Sequence, residues 1–226
     1  DGAPLAQATV VVRSLTDSWE YRAVNTDAAG TYLAHALPAG QYIAHFLPAW
    51  RGLVDQWWTG ARGGTTYDHE AVAFTVGIDE NVTGIDATLL PGGTIEGTVH
   101  DPDGTATDYP SVAAYRKVVV DGATRWERED TSTESPYRLQ DLPPGDYAVL
   151  FSADGVRTTE PTVYEFWEDA ATLSDARLVR IVAAESLRLD VTLSAGSTLS
   201  GVVTSPSGTP MAGVTVSASR EWRHGD

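Results

Sequence analysis

The sequence predicts an all-β fold arranged as tandem seven-stranded Greek-key β-sandwiches. Three observations predict it. Apolar residues fall in short segments that alternate with polar ones and are bounded by Gly, Pro, Asp and Ser, the pattern of half-buried strands. No stretch carries a helical period with caps, and Tyr164 to Leu173 has room for a single helical turn. Whole blocks recur about 104 residues apart, as they do when one structural unit is written more than once.

The recurrence is specific. Gly93 to Thr105 reads GTIEGTVHDPDGT and Ser197 to Thr209 reads STLSGVVTSPSGT. An offset of 104 sets Ile95 on Leu199, Gly97 on Gly201, Val99 on Val203, Pro102 on Pro206 and Gly104 on Gly208. Tyr32 to Phe46 (YLAHALPAGQYIAHF) matches Tyr137 to Phe151 (YRLQDLPPGDYAVLF) at 105. Ile85 to Leu89 matches Leu189 to Leu193 at 104, and Asp1 to Ala6 matches Ser207 to Ala212 at 206. Residues 1–91 are therefore read as a sandwich lacking its first strand, 92–195 as a complete one and 196–226 as the opening strands of a third. The linkers, Leu90-Pro91-Gly92 and Ser194-Ala195-Gly196, are very short, which favours a semi-rigid row. The chain is expected to be a piece of a longer parent that continues in both directions, with neighbouring domains as its partners.

In the complete copy the first strand is Ile95 to Val99, and Asp101-Pro102-Asp103-Gly104 turns the chain. Val112 to Val120 follows, then Asp121-Gly122, a tight hairpin turn that needs φ > 0, then Arg125 to Glu129. Tyr137 to Leu142 leads into Leu142-Pro143-Pro144-Gly145, where proline sets φ and glycine is expected to absorb a left-handed residue. Asp146 to Phe151, Arg177 to Val182 and Ser186 to Leu193 complete the set. About seven strands in roughly 100 residues point to a two-sheet antiparallel sandwich.

These residues resemble the carboxypeptidase regulatory-like domain, a transthyretin-like (prealbumin-like) sandwich. The third copy carries the opening of that pattern at Gly201, Val203, Gly208, Pro210, Met211, Gly213, Val214 and Val216. The L-P-x-G-x-Y element stands at Leu37, Pro38, Gly40 and Tyr42, and again at Leu142, Pro143, Gly145 and Tyr147. The second copy departs at Thr105 to Pro110, TATDYP, so its second strand is expected to start irregularly. The resemblance covers nearly the whole chain and implies the fold. It also implies a non-catalytic module of secreted or surface bacterial proteins, of the kind found beside polysaccharide-degrading enzymes or appended to metallocarboxypeptidases, where catalysis belongs to another domain.

Composition narrows the classes of partner. A formal net charge of −16 argues against nucleic acid, because nothing could neutralise a run of phosphates, and against anionic membrane surfaces. No 18-residue apolar run exists, so no membrane insertion is expected. With no cysteine there is no disulfide, thiol nucleophile or thiolate metal site. Lys117 is the sole lysine, while Asn25 and Asn81 both lie in the first copy, which rules out a Lys–Asn isopeptide staple within one repeat.

Two adjacent tryptophans, Trp57 and Trp58 in VDQWWTGARGG, pose the sharpest question. Strand alternation sends neighbours to opposite faces. A fully exposed indole forgoes burial of roughly 150–250 Å², worth about 4–6 kcal/mol at ~25 cal/mol per Å², so both rings are expected to find cover. Aligning Ala61 with Ala170 sets the pair on Phe166 and Trp167, so the feature is repeated and is read as architecture. Aromatics without a counterpart are better ligand candidates. Trp50 falls opposite Gly155. Trp19, Trp126 and Trp222 recur in charged settings, SWEYR, RWERED and EWRHG, on what should be an edge hairpin. Rings flanked by charge on an exposed strand can stack on a sugar face, or can shield the edge from aggregation. Trp50, Trp19, Trp126 and Trp222 are the candidate polysaccharide-binding residues.

Other chemistry finds no pattern. His35, His45, His69, His100 and His224 show no zinc spacing, although His35 and His45 are expected on neighbouring strands of a hairpin. No serine elbow is visible, and Glu127 with Glu129 would make a glycosidase pair only with a cleft around them. Asp101 and Asp103 raise the question of calcium, but the matching turn, Ser205-Pro206-Ser207-Gly208, lacks both carboxylates. No cofactor, metal or catalytic residue is assigned.

The expectation is a non-catalytic spacer or presentation stalk of a secreted or cell-surface bacterial protein. A second reading is a carbohydrate-binding accessory region of a secreted, amylase-like polysaccharide-degrading enzyme. A third is an adhesin that binds by strand addition, with an open edge of the first copy accepting a strand such as Ser197 to Ser205 of another molecule, a form of strand-exchange self-association.

Overall fold

The structure is a computed structural model and describes residues 2–17, 19–49, 52–60, 64–153 and 163–217. Trp50 and Trp222 lie outside the described residues, as do Ala61 and His224. The strands are β1 (Thr9–Ser14), β2 (Tyr21–Asn25), β3 (Gly40–Leu47), β4 (Gln56–Trp57), β5 (Phe74–Val76), β6 (Gly93–Gly97), β7 (Val99–His100) and β8 (Pro110–Val120). They continue with β9 (Ala123–Ser132), β10 (Tyr137–Leu142), β11 (Gly145–Ala153), β12 (Glu165–Phe166), β13 (Val179–Ile181), β14 (Ser186–Arg188) and β15 (Val191–Thr192). Among the described residues the helical content is one short 3-10 turn, Asp68–Glu70.

Two five-stranded sheets share one order. The first runs β2-β1-β3-β4 with β5 also on β3, and the second runs β9-β8-β11-β12 with β13 also on β11. Both are antiparallel throughout. A smaller sheet, β10-β6-β14, is mixed: β6 runs antiparallel to β10 and parallel to β14, and β7 runs parallel to β15. The expected purely antiparallel arrangement fails here because the opening and closing strands run in the same direction and meet side by side.

Alternation builds each core. In β1 the residues Val10 and Val12 are buried between more exposed neighbours, and they meet Tyr42, Ala44, Phe46 and Val76. Ile95, Val112, Ala114, Leu139, Tyr147, Val149 and Phe151 form the larger second cluster. The Asp121-Gly122 turn holds both residues at positive φ, 52° and 79°, as a type I′ hairpin requires.

The structure explains the L-P-x-G-x-Y element differently from the expectation. The left-handed residue is Ala36 (φ 57°) in one case and Asp141 (φ 58°) in the other, not the glycine. The tyrosine then closes the turn on itself: Tyr42 Oη donates to the Pro38 carbonyl at 2.8 Å, and Tyr147 Oη to that of Pro143 at 2.6 Å. The motif is a corner locked by its own phenol, and each ring is buried. Two further expectations are corrected. Tyr164 to Leu173 holds strand β12 and turns rather than a helical turn, because Glu165–Phe166 adds to the edge of β11. His35 and His45 are not on paired strands, since β3 pairs with β1, β4 and β5.

Candidate functional site

The β3–β4 ladder decides the tryptophan pair. It sets Trp57 opposite His45 and Gln56 opposite Phe46, just as β11–β12 sets Phe166 opposite Leu150 and Glu165 opposite Phe151. Trp58 then donates its backbone N–H to Ala44 and Trp167 its own to Val149, both at 2.9 Å. Each ring turns inward, Trp58 edge-on to Phe74 at 5.7 Å and Trp167 against Phe151 at 6.2 Å. Trp58 and Trp167 are partly buried, and each packs against the core cluster of its own sheet.

Trp57 faces the other way and starts a charged aromatic cluster. It stacks on His45 at 4.0 Å with planes 1° apart, and the Arg13 guanidinium lies 5.4 Å above it. His45 Nε2 is 2.6 Å from Asp55 Oδ2, and that hydrogen bond holds the Asp55 carboxyl below its ordinary range. Backbone bonds in both directions pair Trp57 with Thr65, which carries Thr66 and Tyr67 towards the second sheet.

There they meet Arg116, on β8 and only 2% exposed. Its Nη1 donates to Thr66 Oγ1 at 2.7 Å, and its guanidinium carbon lies 4.4 Å over the Tyr67 ring. Its Nε approaches Glu129 Oε1 at 2.6 Å, an ion pair without the alignment of a good hydrogen bond, and Nη2 is 3.6 Å from Glu127. Burial raises the Glu129 carboxyl, which the Arg116 charge partly offsets. A buried arginine so partnered is costly to strip of its partners, so the contact fixes geometry. Close packing reinforces it at the connection. Gly92 donates to the Gly52 carbonyl at 3.0 Å, Val54 to that of Leu90 at 2.9 Å, and Gly52 N–H reaches Asp141 Oδ1 at 2.5 Å. A Cβ on Gly92 would stand 2.6 Å from the Asp141 Cα, so only glycine fits.

Sequence reasoning missed this junction. One signal was available: Arg116 is in phase with Val112, Ala114 and Val118, a charge on an otherwise apolar face of its strand. Its partners Thr66 and Tyr67 lie 50 and 49 residues away in the chain and carry no pattern of their own.

Of the four ligand candidates, Trp19 and Trp126 are described and lie on different sheets. Trp19 is 90% exposed at the β1–β2 turn, and Trp126 is half-buried on β9, the outer strand of the other sheet, opposite Lys117. Trp50 and Trp222 fall outside the described residues. A small hollow beside Ser14, Asp17, Glu20 and Tyr42 lies near the first turn and contains neither ring. Asp103 accepts from the Thr105 N–H at 2.8 Å and orders its turn. Among the described residues no three His, Asp or Glu side chains converge as metal ligands would.

No family model matches the chain, and no curated protein matches it. Among solved structures it is similar to the minor pilin GBS52 of Streptococcus agalactiae, at 13% identity over 90% of this chain and 89% of that one, with a TM-score of 0.39. It is similar to the Bacillus anthracis TIE protein at 15% identity, over 84% of this chain and 31% of that one, TM-score 0.32. The major pilin subunit BcpA of Bacillus cereus follows at 13%, over 85% and 57%, TM-score 0.27. The chain thus spans less than two thirds of the last two, and likeness at these scores does not establish a common fold.

Proposed function

We propose that the chain is a non-catalytic spacer built from two copies of one transthyretin-like sandwich, clamped in a fixed relative orientation, within a secreted or cell-surface bacterial protein. The Arg116 junction carries this reading. A flexible tether would leave Thr66, Tyr67 and Arg116 in water, whereas here the guanidinium is buried and the connection is too tight for any side chain on Gly92. The repeated sheet order and repeated tyrosine bonds support a duplicated unit. Such a row would present neighbouring domains of a longer parent at a set distance. Small-angle scattering tests it. The native chain should give one narrow distance distribution, and Arg116→Ala should broaden it while circular dichroism stays β-type. A native chain already as broad as the variant would remove the proposal.

One observation favours a second reading: Trp19 stands almost bare on a charged turn. As a carbohydrate-binding residue it would retard the protein in affinity electrophoresis on starch, xylan or chitin, and Trp19→Ala would abolish the retardation. Equal mobility on all three glycans and on a blank gel leaves the spacer alone.

A further inference from the structure

The ladders lay the two five-stranded sheets on each other residue by residue. Ser14 stands opposite Tyr42 and Arg116 opposite Tyr147, the two tyrosines of the repeated corner. Ser14 is in phase with the buried Val10 and Val12, as Arg116 is with Val112 and Ala114. On the outer side Ser14 N–H donates to the Glu20 carbonyl, and Arg116 pairs with Glu127. Ser14 therefore takes the place of Arg116, and Glu20 that of Glu127. Behind them Pro38, Gly40 and Tyr42 answer to Pro143, Gly145 and Tyr147.

In the second sheet that place holds an arginine side chain. A Cβ on Gly145 would stand 3.1 Å from Arg116 Cδ and 3.3 Å from Cγ, so the stem lies along the glycine. The guanidinium then meets Glu127 and Glu129, under the ring of Tyr67. In the first sheet the serine hydroxyl is occupied locally, 3.2 Å from each of the Thr16 hydroxyl and the Thr16 and Asp17 N–H groups. The atoms nearest a Cβ on Gly40 all belong to the Tyr42 side chain, none closer than 3.6 Å. A hollow of about 130 Å³ lies there, with Ser14, Asp17, Glu20, Pro38, Gly40 and Tyr42 in its walls. It thus has a pair of carboxylates where Arg116 has Glu127 and Glu129. Glu20 Oε1 is enclosed and accepts no well-aligned hydrogen bond; Arg22 Nη1 is 2.7 Å away, and the Arg22 head also donates to the carbonyls of Tyr21 and Ala36. Asp17 Oδ1 accepts from the Trp19 N–H at 3.0 Å, which fixes the turn that carries the 90% exposed indole beside Glu20.

We propose that this hollow binds the guanidinium of an arginine presented by a basic segment of another protein. The stem lies along Gly40 and Tyr42, Asp17 and Glu20 pair with the head, and Trp19 closes over it as Tyr67 covers Arg116. Arginine fits better than lysine because a planar fork of donors can meet two carboxylates at once and still stack under an aromatic ring, whereas an ammonium is a point charge. The net charge of −16 draws a basic partner towards the chain. This site stands apart from the spacer reading, and it gives Trp19 a cation in place of a sugar.

Nuclear magnetic resonance of the full chain tests it, with N-acetyl-arginine amide as the probe and N-acetyl-lysine amide and sodium chloride as comparators. The arginine probe should move the backbone N–H signals of Thr16, Trp19 and Glu20 saturably, and the lysine probe should bind about threefold or more weakly. Ser14→Arg should fill the hollow with its own guanidinium, as Arg116 does, and weaken probe binding by about tenfold or more. Gly40→Leu, which occupies the hollow and leaves both acids in place, should do the same, and Trp19→Ala should weaken binding by about threefold. Shifts that stay linear and match those given by salt overturn the proposal. So does equal binding of the lysine probe, or saturable binding that both Ser14→Arg and Gly40→Leu leave unchanged.

Discussion

Tyr32 and Tyr137 make the same hydrogen bond in two settings, one between segments with no assigned strand and one over a packed strand. Around Tyr137 every inward neighbour on β10 is buried, whereas around Tyr32 the matching residues keep contact with water. The corner, the five-stranded sheet order and the inward tryptophan are equivalent in both halves. Local sequence and one sheet thus suffice to place these features. What the central strand adds is exclusion of water, together with ladder bonds for both of its neighbours.

Three changes should separate the halves. The largest effect is expected at Gly97. A Cβ at Gly97 would stand 2.0 Å from the Leu189 carbonyl oxygen, so Gly97→Val should cost about 3 kcal/mol or more. Hydrogen exchange should speed up across β8 and β11 while β1 and β3 stay protected, and uniform loss would mean that the halves unfold as one. The tyrosines should differ more modestly. Tyr137→Phe leaves a buried carbonyl unpaired and should cost about 1–1.5 kcal/mol in urea unfolding, whereas Tyr32→Phe should cost about half as much because water can reach Ile85. Equal costs would say that water does not reach the Ile85 carbonyl.

Alkali should give the smallest separation. Burial first, and the Asp86 charge second, push the Tyr32 hydroxyl from 10.0 up to about 12, and burial drives Tyr137 higher still. A folded-state value above the unfolded one means that the native state holds its proton longer. Stability is therefore fully present below pH 10 and is lost as pH rises from 10 towards 12. Thermal melts taken upward from neutral pH should fall beyond about pH 10, and Tyr137→Phe should flatten that fall more than Tyr32→Phe.

Much of this was legible in order along the chain. The β10 span of Tyr137–Leu142 coincides with the alternating segment, and the Asp121-Gly122 turn has the positive φ angles its residues demand. The inward turn of Trp58 and Trp167 follows from a repeated pair and strand alternation. The short β12 was missed because two residues cannot show a period, the left-handed Ala36 because alanine does not announce that conformation, and Asp141, a type enriched there, because the following glycine drew the expectation. His45 was expected on a strand, but its stacking partner Trp57 became visible only through the ladder.

By itself the sequence determined the β character, the recurring blocks and the alternating inner faces, because turn chemistry and side-chain period are local properties of a strand. Only the tertiary structure decided that Arg116 is sealed by Thr66 and Tyr67, and that the Tyr32 phenol reaches the Ile85 carbonyl. Those contacts join residues about 50 positions distant, and which of many such pairs meet depends on how whole sheets close on each other.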